Sequence, residues 1–251
     1  MILVTNGCSH TCGAELTYPM ERACYEKAWP KHLATLLNCE HTNLADSGAS
    51  AHRIVRTTIR YIIDMFQQKK KLDEHFFIIL WPGMFRDELY LPQEHTIEEG
   101  ASFYDNNWLP LVVGNDESYK KAFSHRFYTY YKSWVVCGEK VKRQMDYLHH
   151  IMLLQNFFVM YKIKYLFWNA AHSPLDFTDP ELKGYLGLVF KKNFPFLQDV
   201  NECFTVLLRN NNQNISEHSM ASGFGSHYDE EALKWFANYL HKYIKSNNLL
   251  P

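Results

Sequence analysis

The chain has 251 residues, 47% of them apolar and 21% charged, with only 11 glycines and 9 prolines. That composition excludes a collagenous, linker-rich or disordered chain and predicts one large domain with a sizeable core. Twenty-six Lys and Arg against 27 Asp and Glu leave a formal net charge of -1, which excludes a domain-wide basic field for nucleic acid.

Residues 2–6, Ile-Leu-Val-Thr-Asn, form a β-rich apolar run closed by Gly7 and read as a first, buried strand. Pro30 follows Trp29, and Leu33, Leu36 and Leu37 recur at helical spacing, as after a proline in a first turn. A second strand is expected around 41–45, before the turn Asp46-Ser47-Gly48. Ser50 is a natural N-cap for a helix whose Ile54, Val55, Thr58, Ile59, Ile62 and Phe66 share one face. Lys69-Lys70-Lys71 then reads as a solvated helix end. Phe76–Trp81 is apolar throughout, as buried parallel strands are, and Pro82-Gly83 ends it.

Residues 83–130 have no clean period and are rich in Tyr, Phe, Asn and His; they read as an insertion with short elements. A long helix is predicted over about 131–161, a fourth strand over 163–168, helix over 181–193, a fifth strand over 204–208 and a closing helix from near Tyr228. Strands alternating with helices predict a single α/β domain over 1–251, a three-layer α/β/α arrangement around a mostly parallel five-stranded sheet. Ligands of such folds sit at the carboxyl ends of the strands.

The six cysteines (8, 12, 24, 39, 137 and 203) are scattered without a Cys-x-x-Cys pair. The first residues lack the charged and apolar regions of a signal peptide, and no run approaches roughly 18 apolar residues. The expectation is a cytoplasmic protein with reduced thiols and no membrane partner. His149, His150 and His172 form no convergent ligand set, and no metal is expected.

The chemistry concentrates in three blocks. Gly7-Cys8-Ser9-His10-Thr11-Cys12-Gly13 directly follows the first strand, where a sharp turn exposes a hydroxyl. Asn43-Leu44-Ala45-Asp46-Ser47-Gly48-Ala49-Ser50 follows the second. Gly225-Ser226-His227-Tyr228-Asp229 precedes the closing helix. Taken together these resemble the SGNH hydrolase superfamily, the GDSL-type esterases, whose fold is a flavodoxin-like α/β/α sandwich. The first block resembles Gly-Asp-Ser-x-x-x-Gly, with Cys8 in place of the Asp.

The resemblance implies Ser9 as nucleophile, His227 as general base, and the backbone N–H groups of Ser9 and Gly48 as an oxyanion hole. It implies no cofactor. Two departures stand out. Phe224 occupies the position of the acid three residues before the histidine, leaving a Ser–His dyad or a distant acid such as Glu217. The Gly-x-Asn-Asp block after the third strand is absent, with Gly83 where its Asn would stand. Arg86 and Asn169 are candidate replacements near the strand ends, and Gly114-Asn115-Asp116 is read as a coincidence inside the insertion.

Each residue also has a plain structural reading. Ser9 is a candidate N-cap, Gly48 a turn glycine, His227 a neighbour of the last helix's cap and His10 a turn residue. His10, Trp81, Arg86 and Asn169 are the candidate substrate-binding residues, with Arg86 and Glu88 a candidate ion pair. The expected function is cleavage of an ester or acyl group on a small molecule or glycan, deacetylation included. An acyltransferase on the same site, a non-catalytic ligand-binding module and a phosphate-cradling loop at Gly7–Gly13 are the alternatives.

Overall fold

The computed structural model describes residues 1–17, 23–90, 108–114, 116–122, 125–138, 140–171, 179–189, 193–195, 203–217, 220 and 227–251. Strand β1 (Ile2–Gly7) lies between β2 (Glu40–Asn43) and β3 (His75–Trp81), and β6 (Lys164–Asn169) pairs with the far side of β3. All three pairings are parallel, so the order β2-β1-β3-β6 leaves Gly7, Asn43, Trp81 and Asn169 along one edge.

Helices α2 (Trp29–Leu37) and α9 (Glu230–Ser246) pack together, as do α3 (Ala51–Gln67) and α6 (Lys140–Met160). Successive side chains of a strand point to opposite faces, and β6 shows both faces covered. Phe167 meets Phe158 of α6 at a ring separation of 6.0 Å, whereas the next residue, Trp168, meets Phe236, Tyr239 and Tyr243 of α9 edge-on. Phe76 to Trp81 are all fully buried. Each such large side chain contributes roughly 1.5–3 kcal/mol of burial. Local signals agree with this frame: the Ser50 hydroxyl caps α3 by accepting from the Arg53 N–H at 3.1 Å, and the Asp229 carboxylate caps α9.

The segment read as an insertion builds a small unit of its own. Strands β4 (Arg86–Tyr90) and β5 (Trp108–Val112) form an antiparallel pair, followed by α4 (Asp116–Ala122) and α5 (His125–Cys137). The Tyr119 and Tyr131 hydroxyls donate to the carbonyls of Pro110 and Val112, at 2.6 and 2.9 Å, and their rings join Leu111 in a separate apolar cluster. Short helices α1 (Ser9–Cys12), α7 (Pro180–Leu186) and α8 (Phe204–Asn210) and a 3-10 turn (Tyr25–Lys27) complete the described elements.

Three expectations are corrected. Residues 204–208 are helical, not a fifth strand, so the central sheet has four strands among the described residues. Phe204, Leu207 and Leu208, spaced as neighbours on one helix face, are its buried residues. The long helix predicted from 131 is two helices. It breaks around Gly138, where a Cβ would lie 1.8 Å from the Arg143 guanidinium, which donates to the Gly138 and Trp134 carbonyls. Finally, Glu88 pairs with Arg56, not Arg86, in a two-pronged contact at 2.8 and 2.9 Å.

Candidate active site

The parallel register carries every residue that follows a strand to the same edge of the sheet. Gly7 ends β1 opposite Leu80, and α1 opens at Ser9. Its N-cap is Cys8, whose carbonyl accepts from the N–H groups of Thr11 and Cys12. Ser9 is therefore the first helical residue and not the cap. The glycines of this block answer to packing: a Cβ on Gly7 would lie 2.2 Å from Thr11 Oγ1, and Gly13 has φ 73° with a would-be Cβ 2.6 Å from the Cys24 carbonyl oxygen.

The segment after β2 is tied to the serine turn. The Leu44 N–H donates to the Thr5 carbonyl at 2.8 Å, the Asp46 N–H to the Gly7 carbonyl at 3.3 Å, and the Asn43 side-chain amide to the Thr11 carbonyl at 2.9 Å. Arg53 braces the same segment, donating to the Leu44 carbonyl at 3.1 Å and standing 3.5 Å from the Asp46 carboxylate. Gly48 turns the chain into α3 with φ 77°, a left-handed conformation natural to glycine.

His227 contacts a carboxylate far from it in the sequence. Its Nδ1 lies 2.9 Å from Oε2 of Glu15, six positions after Ser9, with both side chains largely shielded. A carboxylate accepts, so Nδ1 carries the hydrogen and Nε2 holds the basic lone pair. Glu217, the distant acid considered from sequence, is exposed instead. Phe224 lies outside the described residues. Glu15 adopts φ 64°, a conformation costing a non-glycine residue about 1–2 kcal/mol, and such strain gathers at functional sites.

One short pairing fixes the acid and the imidazole relative to each other. The Ser216 hydroxyl donates to the Glu15 carbonyl at 2.9 Å, while the Ser216 N–H donates to the His227 carbonyl at 2.8 Å. Ile215 and Tyr228 form an antiparallel bridge beside it, and the Asp229 N–H reaches the Asn214 carbonyl.

The His10 ring sits 4.9 Å from both the His227 and Phe204 rings. Burial, then the neighbouring His227 and Arg86, hold His10 well below the ordinary histidine range. His227 is also lowered: burial outweighs the opposing pull of Glu15, and Arg86 pushes in the same direction as burial. Both imidazoles are therefore neutral near pH 7, and His227 is in the form that can take a proton.

Arg86 itself lines a cleft of about 220 Å³, with Met84, Trp134, Arg143 and Tyr147 among the walls. Trp81 and Asn169 do not line it; both are fully buried. Trp81 packs edge-on against Phe167 and Tyr147, and Tyr147 hydrogen-bonds the Asn169 side-chain oxygen at 2.9 Å. Gly83 has open space around it, so no steric demand explains that glycine. Asp116 of the Gly-Asn-Asp sequence is paired with Lys132 inside the insertion at 2.8 Å. His150 lines the cleft and contacts the Asp146 carbonyl, His149 meets the Tyr185 ring, and His172 lies outside the described residues. All six cysteines are free thiols.

Comparison with known proteins finds no curated relative. Solved structures show broad, low-identity likenesses. A lipolytic protein of the G-D-S-L family from Desulfitobacterium hafniense DCB-2 shares 14% identity over 96% of this chain and 98% of its own, with a TM-score of 0.46. The acetyl xylan esterase AlAXEase shares 12% over 96% and 98% at 0.43. The psychrotrophic esterase EstA from Pseudoalteromonas sp. shares 11% over 98% and 97% at 0.44. A family described as of unknown function, DUF6071, matches residues 16–187, which include Gly48, Arg86 and Asn169 but neither Ser9 nor His227. That match covers well over half of the sequence, and the chain belongs to the DUF6071 family.

Proposed function

We propose that this chain is a serine hydrolase that cleaves an ester or acyl group through Ser9, His227 and Glu15. The observation that carries the reading is the 2.9 Å contact between Glu15 and His227 Nδ1, beside the turn that bears Ser9. The missing acid before His227 and the missing Asn after the third strand are the arguments for a non-catalytic module, and the Glu15 contact answers the first of them. The resemblance of the three sequence blocks to SGNH hydrolases supports the same assignment.

In this reading Ser9 Oγ attacks the acyl carbon as its proton passes to His227 Nε2. The oxyanion rests on the N–H groups of Ser9 and Gly48. Collapse breaks the bond to the leaving alkoxide, which takes the proton from His227. Water then attacks the acyl-enzyme, gives its proton to His227, and the acid departs as Ser9 recovers its hydrogen. An alcohol in place of water would make the same intermediate a transfer reaction. Glu15 holds the ring in the Nδ1–H tautomer and stabilises the imidazolium that forms.

Turnover of 4-nitrophenyl acetate by wild type, Ser9→Ala and His227→Ala tests the assignment. Wild type should hydrolyse the ester, and each variant should lose about 10³-fold or more in kcat/KM. Equal rates in all three folded proteins would overturn it.

A further inference from the structure

The cleft at Arg86 is lined by that residue, Lys142 and Arg143 against Asp87 and Asp146. Most of these charges already have local partners. Lys142 pairs with Asp146 one helical turn on. Arg143 donates to two carbonyls and stacks over the Trp134 ring at 4.3 Å. Asp87 accepts from the Glu88 N–H at 2.8 Å and lies 3.9 Å from His52. Arg86 differs: its Nη1 is buried and has no hydrogen-bond partner. Buried donors are paired in the great majority of cases, and an unmet one costs about 1–3 kcal/mol. A guanidinium with one unmet donor, on a residue that lines a cleft, suits an anion such as a carboxylate.

We infer that the cleft is a subsite for a carboxylate-bearing substrate, with Arg86 gripping the carboxylate while the ester end reaches Ser9. The inference extends the hydrolase reading by naming the substrate class, an acidic ester such as the half-ester of a short dicarboxylic acid. Met84, Trp134 and Tyr147 supply apolar wall for the carbon chain between the two ends. Arg86 also acts electrostatically on both His10 and His227, so its charge is within reach of both imidazoles.

The test has two arms. Succinate, with succinamide as its neutral counterpart, is titrated calorimetrically into Ser9→Ala protein and into the Ser9→Ala/Arg86→Gln and Ser9→Ala/Arg86→Lys doubles, so that turnover plays no part. Succinate should bind Ser9→Ala, succinamide should not, and Arg86→Gln should raise the succinate Kd at least about tenfold. Arg86→Lys should fall between, and if the Gln double fails to fold, this variant carries the comparison. The second arm compares 4-nitrophenyl acetate with the anionic 4-nitrophenyl hemisuccinate in proteins that retain Ser9. Wild type should favour the hemisuccinate in kcat/KM, and Arg86→Gln should erase that preference by raising KM for the anionic ester.

Absent succinate binding to Ser9→Ala, equal binding of succinamide, or an unchanged Kd in the folded Arg86 doubles overturns the subsite. An equal fall on both esters in Arg86→Gln also overturns it, because that pattern belongs to an oxyanion donor. Arg86-dependent succinate binding without hydrolysis of either ester supports the subsite and overturns the hydrolase reading; hydrolysis without succinate binding does the reverse.

Discussion

Replacing Glu15 by Gln removes one charge and leaves the side chain's size unchanged. In the native site the carboxylate accepts from His227 Nδ1 at 2.9 Å. A glutamine offering its NH2 there would place the ring hydrogen on Nε2, where a base cannot carry it. Offering its oxygen instead, it would keep the tautomer but not the charge that stabilises the imidazolium. Either way kcat/KM should fall by about 10²–10⁴, or roughly 3–5 kcal/mol of barrier at 1.36 kcal/mol per decade.

The stability cost of that change should be much smaller. A hydrogen bond to a charged group is worth about 1.5–3 kcal/mol, reduced by residual solvent at side chains 14% and 16% exposed. About 1 kcal/mol is expected, or 2–4 °C in Tm for a chain of this size. The backbone supplies a control. Glu15→Gly and Glu15→Ala both remove the acid, but only glycine relieves φ 64°, so the Gly variant should be about 1 kcal/mol more stable than Ala at equally low activity. Steady-state hydrolysis and thermal unfolding of the set provide the readout. A folded Glu15→Gln protein within about fivefold of wild type in kcat/KM would refute the assigned role, since the mechanism asks for at least two decades.

The remaining predictions concern protonation and packing. Because His227 is lowered by burial, the acidic limb of kcat/KM should lie below the ordinary histidine value of about 6.5; a limb at or above 6.5 would contradict that environment. His10, His41, His75, His150 and His227 are all lowered in the folded chain. Unfolding lets each take up a proton that the folded form refuses, so stability should be complete above about pH 6.5 and fall below it. The slope is at most about 1.4 kcal/mol per pH unit for each histidine, and denaturant titrations giving equal stability at about pH 7.5 and 5.5 would contradict it. Arg56→Ala strands Glu88, whose side chain is 3% exposed, and should cost about 3 kcal/mol in chemical denaturation. Gly7→Ala drives a Cβ against Thr11 and the Leu80 carbonyl and should cost about 1–3 kcal/mol; an unchanged Tm would show that the turn can relax.

The elements legible in the sequence are those whose local pattern and burial agree. Phe76–Trp81 has no polar interruption because both faces of β3 are covered, and Ser50 followed by a helical stripe marks the start of α3. Residues 204–208 mislead because Thr205 and Val206 are β-branched, while the spacing of Phe204, Leu207 and Leu208 carries the helix. The break at Gly138 is hidden by apolar residues on both sides of it; there the Arg143 side chain folds back onto the Gly138 and Trp134 carbonyls.

Among the candidate site residues, Ser9 stands out in the sequence because it comes just after a strand, Gly48 because it lies in the turn between a strand and a helix, and His227 because it precedes a capped helix. Glu15 does not, since 212 positions separate it from the imidazole and nothing local marks a left-handed glutamate as an acid in waiting. Its nearest signal is position, two residues beyond Gly13 in a chain that lacks an acid before its histidine. Arg86 is visible only as a cation near a strand end; the unmet Nη1 goes with Glu88 pairing to Arg56 instead.

The most direct measurement is peptide mapping by mass spectrometry after treatment with a fluorophosphonate, comparing wild type with Glu15→Gln. The account predicts a phosphonyl adduct on Ser9 in wild type, formed at least about 10²-fold more slowly in Glu15→Gln. An adduct on a different residue, or no adduct on folded wild type even with a methyl-sized reagent, would contradict it.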